Sequence, residues 1–346
     1  MNLTSWHDFL AKLRALKDLE KSESRALMEE ILSGVRTQDE IVEFLTLHTT
    51  KGGSATEVSG FIEAMYEHAA PISIAERAVD TVGTGGDGFQ TINISTASAI
   101  VAAAAGAKVI KHGNRAATSQ SGSADVLEAL GIKIDLDGKQ TAELVSEIDI
   151  GFCFAPKFHS AMRHAGPARK ALGFPTIFNI LGPLSNPAKP RAYAIGVSKA
   201  EMFPIVAEVL RTRGVDALVF RGMEGLDEIT LAGKSELYLI GDGRSRLIEI
   251  DPIDWGIRRS PLESLRGGKA EENASHLRKI LNGNRGPMRD VVLLNAAATV
   301  IAFDGVIPEE DVNERFTSAL VRVAEAIDSG RATSLLEHWV ARSHQV

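Results

Sequence analysis

Between Val82 and Gly131 the chain reads VGTGGDGFQTINISTASAIVAAAAGAKVIKHGNRAATSQSGSADVLEALG. The order is a strand end, a glycine-rich turn, an apolar helix, a second strand, and a basic turn opening another helix. Few folds accept it. A short strand, a tight loop and a buried helix in repetition demand a parallel sheet covered by helices. Glycines reach positive φ and lack Cβ atoms, so successive amides can approach an oxyanion. Helix N-termini add partial positive charge, and Lys111 adds a full one. Such a segment is built to hold something strongly anionic, and phosphate or diphosphate is the candidate.

The alternation continues beyond this segment. β-rich runs at Ala78–Val82, Lys108–Ile110, Gly151–Phe154, Tyr193–Val197 and Ala217–Phe220 are separated by helical stretches, which predicts a largely parallel sheet. Ser235–Ile250 reads as two β runs around Gly241-Asp242-Gly243. Lys157 to Arg191 is an insertion with helical character that runs into LGPLSNP. Ahead of Ala78 the pattern is helical throughout. Phe9, Leu10, Leu13 and Leu16 recur at helical spacing, as do Ile41, Phe44, Leu45 and His48. Thr37 and Glu40 form a capping box, Lys51-Gly52-Gly53 breaks the chain, and Thr56 is placed to cap a helix ending near Pro71. The expected organisation is a helical domain over 1–71 and an α/β domain over 72–346, with helices from 157–190 packing back on the first. Helices over Arg289–Phe303 and Pro308–Asp328 are expected to close the chain.

Composition narrows the partners. With 346 residues, 44% hydrophobic and 24% charged, the chain suits a globular protein of two domains. A net charge of −7 argues against a nucleic-acid or anionic-membrane partner, which needs a basic face. Basic tracts here are therefore local pockets. The single cysteine, Cys153, excludes an intramolecular disulfide. Within GFCFAP it reads as a small buried hydrophobe and points to a reducing, cytoplasmic compartment. The N-terminus lacks the apolar core of a signal peptide, and the apolar run Ala97–Ala107 is too short to span a bilayer.

Gly83–Gly88, GTGGDG, is neither a Walker A loop nor the GxGxxG of dinucleotide folds, and alone it could be only a turn. Asn93-Ile94-Ser95-Thr96 puts Ser95 or Thr96 near the N-cap of the following helix, whose positive end faces the same space. The next strand delivers Lys111-His112-Gly113-Asn114-Arg115 to the carboxyl edge of the sheet, where open α/β sheets bind ligands. Ser121-Gly122-Ser123 caps a helix running through Leu130. Three anion-friendly termini in one place suggest a ligand with two phosphorylated ends. Asp227 and Glu228 follow the strand ending at Phe220. Adjacent carboxylates are often merely solvated, but beside a diphosphate their hard oxygens suit Mg²⁺. Arg169 by itself reads as a surface helix arginine. His159 and His164 lack metal-ligand spacing and read as structural or pocket-lining. No Ser-His-Asp or Cys-His arrangement is evident.

Taken in order, VGTGGDG, NIST, KHGNR, SGSADVLEALG, FNILGPLSNP, GLDEIT and GPMRDVVLLNAA resemble the anthranilate phosphoribosyltransferase family over nearly the whole chain. The resemblance implies a small helical domain on a large α/β domain, a homodimer joined through the helical domains, and a fold shared with pyrimidine nucleoside phosphorylases. It implies transfer of a phosphoribosyl group from phosphoribosyl diphosphate to anthranilate in tryptophan biosynthesis. Position by position, it assigns Gly83, Gly86, Asp87, Thr91, Asn93, Ser95, Thr96, Lys111, Asn114, Ser119 and Ser123 to phosphoribosyl diphosphate. Gly83, Asn114 and Arg169 fall to anthranilate, and Ser95, Asp227 and Glu228 to Mg²⁺, with two ions per subunit. Lys111 and Asn114 are the catalytic residues it implies. Phe158-His159-Ser160-Ala161 departs from the family, which often has an aromatic or histidine and then His-Pro-Ala; this leaves the outer substrate channel open. A same-fold nucleoside phosphorylase would carry Lys-His-Ser-Thr-Gly-Gly where this chain has Asp80-Thr81-Val82-Gly83-Thr84-Gly85-Gly86. A non-catalytic paralogue that binds nucleic acid should have a basic cleft and lack the acidic pair; this chain shows the reverse.

Overall fold

Helices α1 (Trp6–Arg14), α2 (Lys21–Leu32), α3 (Gln38–Lys51) and α4 (Ala55–Glu67) open this computed structural model, which describes residues 5–116 and 120–346. Local sequence explains their starts. The side chains of Ser5, Thr37 and Ser54 accept from the backbone N–H groups of Asp8, Glu40 and Glu57, and those acids reach back to the cap backbone. Ser54 rather than Thr56 therefore caps α4, because only Ser54 has an acid three residues on, and α4 stops at Glu67, short of Pro71. Phe9, Leu10 and Leu13 are buried as their spacing predicts, but α1 ends at Arg14, and Leu16 follows at φ 56, 65% exposed.

The remaining elements are β1 (Val79–Gly83), α5 (Ile94–Ala104), β2 (Val109–Gly113), α6 (Ser123–Ala129), α7 (Gly138–Ile148), β3 (Ile150–Phe154) and α8 (Ala155–Phe158). A 3₁₀ turn at Ser160–His164 leads to α9 (Gly166–Leu172), α10 (Phe178–Leu184), β4 (Ala192–Gly196), α11 (Phe203–Arg213), β5 (Asp216–Gly222), β6 (Ser235–Gly241) and β7 (Arg244–Ile250). Then come α12 (Ala270–Leu281), α13 (Pro287–Asp304), α14 (Val312–Asp328) and α15 (Arg331–Ser343). The start of α14 is Val312, not Pro308, because the Asp311 side chain accepts from Asn313 N–H and sets the cap there.

One sheet of order β3-β2-β1-β4-β5-β6-β7 organises the second domain. Strands β1 to β5 are parallel, and β6 and β7 add antiparallel edges. From β1 the chain winds out to β2 and β3, then returns to β4 on the other side. The boundary between β1 and β4 is thus the topological switch point, where such sheets bind ligands. Strand alternation feeds two cores. Ala192, Ala194, Leu218 and Phe220 face α5 and α13, whose alanines allow close approach. Tyr193, Ile195, Ala217 and Val219 face α10, α11 and the helical bundle. Burying each large aliphatic side chain contributes about 1.5–3 kcal/mol, so the second core binds the two domains together. Ala165, Ala168, Ile177, Phe178 and Leu181 of the insertion join that same core. His164 packs there against Gly34, where a Cβ would lie 2.6 Å from its ring. Cys153 is buried in a small core with Ile110 and Phe158, and burial pushes its thiol pKa up. Among the described residues no helix is long and apolar enough to cross a membrane.

Candidate active site

At the switch point Gly83 pairs with Gly196. Both must be glycine because the Asp227 loop lies on the strand tips. A Cβ on Gly83 would sit 2.2 Å from Asp227 Oδ2, and one on Gly196 only 1.6 Å from the Asp227 carbonyl oxygen. The glycine loop is tethered above. Thr84 N–H donates to Gly196 O at 3.0 Å, Ser198 N–H to Thr84 Oγ1 at 3.1 Å, and Ser198 Oγ–H to Gly85 O at 2.9 Å. Gly85 N–H donates to Asp227 Oδ2 at 2.7 Å, so loop and acidic pair form one unit. Gly85 and Gly86 take φ +69 and +76, with nothing within 4 Å of where a Cβ would be, so the loop keeps an open face.

Beneath the loop lies Lys111 of β2, 1% exposed, whose Nζ donates to Thr81 O at 2.5 Å and Ser95 Oγ at 3.2 Å. Burial pulls this ammonium's pKa down, while Asp80, Glu228 and Asp227 oppose the shift. Asp80, buried in β1, accepts from His112 N–H at 3.1 Å and from Asn186 Nδ2 at 2.9 Å. Burial raises its pKa to about 6 against the pull of Lys111 and Asn186. Asp227 is raised to about 8, by burial first and then by the charge and hydrogen bond of Asp87. Glu228 is also pushed well up, by burial and then Asp227, with Lys111 and the Ser95 N–H resisting. One lysine does not balance these carboxylates, and an added cation would relieve their repulsion. Among the described residues no three His, Cys, Asp or Glu side chains form a ready metal cage. That suits Mg²⁺, which binds through one or two carboxylates and completes its shell with phosphate oxygens and water. The donors fit the ion.

The N-cap of α5 is Asn93, which places Ser95 and Thr96 close to the cap as expected. Its side chain makes tertiary bonds instead of capping: Nδ2 donates to Ser121 O at 3.0 Å, and Oδ1 accepts from Asn273 Nδ2 at 2.8 Å. Ser95 and Thr96 therefore lie in the first turn, Ser95 against Lys111 and Thr96 buried. Thr91 pairs with Arg266 in an isolated bridge. In the second anion loop the Asn114 carbonyl accepts from Ser123 Oγ at 3.3 Å and Ala124 N–H at 3.2 Å, folding the loop onto the start of α6. Arg115 is held by Asp125 at 3.0 Å and by Glu128, which leaves Lys111 as the inward cation of the tract. Ser119 lies outside the described residues.

Arg169 of α9 is half-buried, its Cζ 5.4 Å from the Phe178 ring centroid. Burial lowers its pKa, and it makes no ion pair among the described residues. Phe178 lies one turn from Gly182 on α10, and the Gly182 carbonyl meets His112 Nδ1 at 3.1 Å. Helix α10 thus links the arginine to the tip of β2. His159 is structural: its Nε2 meets Ser185 O at 2.8 Å, and its ring lies 5.2 Å from that of His112. A cavity of about 270 Å³ separates the glycine loop from Gly53 and Ile177. A larger surface hollow of about 430 Å³ beside α14 has both its arginines already paired, Arg315 with Glu310 and Arg322 with Asp304. Sequence reasoning missed Gly196, Ser198, Asp80, Asn186 and Asn273. Asp80 had a local signal, a carboxylate inside a buried parallel strand; Asn273 had none.

A helical bundle clasped to an α/β domain, with a glycine loop, buried lysine and acidic pair at the switch point, is a glycosyl transferase arrangement. The glycosyl transferase family a/b domain matches residues 75–333, and the family's helical bundle domain matches 7–69. An anthranilate phosphoribosyltransferase from Arthrobacter sp. (strain FB24) is 48% identical over 337 residues, covering 97% of this chain and 96% of the relative. The crystal structure of the Thermus thermophilus anthranilate phosphoribosyltransferase aligns with TM-score 0.89 at 38% identity, over 97% of this chain and 99% of that one. The Saccharomyces cerevisiae enzyme in complex with PRPP and Mg aligns with TM-score 0.88 at 27% identity, over 99% and 98%. The chain belongs to the anthranilate phosphoribosyltransferase family.

Proposed function

We propose that this protein transfers the 5-phosphoribosyl group of phosphoribosyl diphosphate to the amino nitrogen of anthranilate, the second step of tryptophan biosynthesis from chorismate. The ribose C1–N bond forms, the C1–O bond to diphosphate breaks, and the amine loses a proton to solvent. The observation that carries this reading is the closed unit of Gly83–Gly88, Lys111, Ser95, Asp227 and Glu228 at the switch point. Around the leaving diphosphate, backbone amides, the first turn of α5 and Lys111 oppose developing negative charge, usually the largest catalytic contribution. Asp227, Glu228 and Ser95 would hold two Mg²⁺ per subunit, which supply charge neutralisation of the diphosphate when bound. An aryl amine is neutral near pH 7, so no strong base need activate it. Asn114 and Arg169 would receive anthranilate, Arg169 through its carboxylate, a pairing supported by the arginine's lack of an ion pair among the described residues. The remaining contribution is positioning of the two substrates across the domain cleft. The family relationship and the neighbour bound to PRPP and Mg support the same reading. A homodimer in the cytoplasm completes it, and the reduced, buried Cys153 is consistent with that compartment.

The test is the loss of anthranilate fluorescence on mixing with phosphoribosyl diphosphate. Turnover should require both that substrate and a divalent ion. Unchanged turnover in excess chelator would remove the metal from the scheme, and no turnover under any condition would remove the reaction.

A further inference from the structure

We propose that Asn273 of α12 is a positioning residue for the phosphoribosyl diphosphate pocket, fixing the Asn93 carboxamide and so the gap between α5 and the second anion loop. The inference rests on the transferase reading. Asn273 is 180 residues from Asn93 in sequence and 1% exposed. Its Oδ1 accepts from Gly268 N–H at 2.8 Å, so its amide orientation is dictated by a backbone donor. Its Nδ2 must then face Asn93, and it donates to Asn93 Oδ1 at 2.8 Å. Asn93 is thereby oriented in turn, with its own Nδ2 on Ser121 O at 3.0 Å. A relay of two carboxamides joins α12 to both anion-binding segments.

The segment around Asn273 braces the same place a second time. Ile92 N–H donates to Leu265 O and Gly267 N–H to Gln90 O, both at 2.9 Å, with Thr91 and Arg266 paired between them. The approach is so close that a Cβ on Gly267 would lie 2.6 Å from Asn273 Oδ1 and 2.8 Å from Thr91 O. Thr91 and Asn93 therefore sit on a platform made by residues 265–273. Asn93 has both side-chain polar atoms committed to protein partners and its carbonyl bonded to Ala97 N–H at 3.0 Å, which leaves one Nδ2 hydrogen and the backbone N–H for a ligand.

Asn273→Asp keeps the acceptor for Gly268 but presents oxygen to Asn93 Oδ1. Asn93 can escape only by flipping, which sets its oxygen against the Ser121 carbonyl. Either way the relay breaks without loss of side-chain volume. The experiment is a cycle of Asn273→Asp, Asn93→Ala and the double variant in the full chain. KM is measured for each substrate, and calorimetry gives Kd for phosphoribosyl diphosphate with Mg²⁺. Asn273→Ser, which replaces the two-ended carboxamide by a single shorter hydroxyl without adding charge, runs through the same cycle. We expect Asn273→Asp to raise KM and Kd for phosphoribosyl diphosphate about tenfold, anthranilate KM to stay within about twofold, and the double variant to bind no worse than Asn93→Ala alone. An unchanged Kd for phosphoribosyl diphosphate, an equal rise in both KM values, or multiplying effects in the double variant would overturn the role. A wild-type protein that binds phosphoribosyl diphosphate but never consumes anthranilate would instead overturn the transferase reading, leaving the calorimetric cycle to judge Asn273.

Discussion

Arg169 carries a charge that no described side chain neutralises, in a place where burial already disfavours it. A carboxylate ligand removes that cost. Replacing it with Ala should raise the anthranilate KM about tenfold to a hundredfold, the range of roughly 1.5–3 kcal/mol for a hydrogen bond to a charged group. The KM for phosphoribosyl diphosphate should move far less. An unchanged anthranilate KM in steady-state kinetics would return Arg169 to the role of a packing residue beside Phe178. Asp227 and Glu228 differ in kind, because each is held in a repulsive group in the ion-free protein. The double Ala variant should lose turnover while its melting temperature holds or rises, since removing buried like charges relieves strain. Wild-type turnover at limiting Mg²⁺ would reject the metal role. Gly196→Ala tests the backbone beneath them. With the Asp227 carbonyl 1.6 Å from the new Cβ, the acidic loop must lift, and both activity and stability should fall. An active variant melting like wild type would show that the loop is not fixed there.

At the scale of elements, the helical bundle is tied by one buried acid. Glu57 of α4 accepts from Leu19 N–H at 3.0 Å and Lys51 Nζ at 2.8 Å, with His48 Nε2 at 3.6 Å. Burial alone would raise its pKa, but His48, Lys51 and the Leu19 N–H outweigh it and bring the pKa to about 2. The folded pKa is depressed, so this stabilisation is present above the ordinary carboxylate range and is lost as pH falls toward 2. A drop from 4.5 to about 2 corresponds to about 3 kcal/mol at neutral pH. Glu57→Gln should cost that order of stability in urea unfolding at pH 7, and the gap from wild type should close between pH 4.5 and 2. A gap independent of pH would mean that packing, not charge, holds these helices. The elements themselves were legible wherever the signal was local. Thr37 and Glu40 declared the start of α3, and the glycine loop declared the end of β1. Thr56 misled as a cap candidate, because a hydroxyl near a helix start is common. Which residue caps depends on a partner three residues away, as at Ser54, or on tertiary bonds, as at Asn93.

For the molecule as a whole, the family resemblance implies a homodimer joined through the helical domains, although the structure buries most apolar side chains of that bundle within the chain itself. Leu16 and Val35 remain, each 65% exposed. Light scattering at micromolar concentration should still report a dimer, and a dilution-independent monomer would remove that expectation. The α/β sheet, the helical start, the glycine loop and the adjacent acidic pair were legible in the chain alone. Each is written in a periodicity or in a short run of neighbouring residues, and chain connectivity forces parallel strands to present their loops at one edge. It took the folded contacts to reveal that Gly196 must be glycine, that Asp80, held by Asn186, lies beside Lys111, and that Asn273 meets Asn93. Those roles depend on contacts between segments far apart in the chain, 180 residues apart for Asn273 and Asn93, and no local pattern records which distant side chain will meet a given backbone atom.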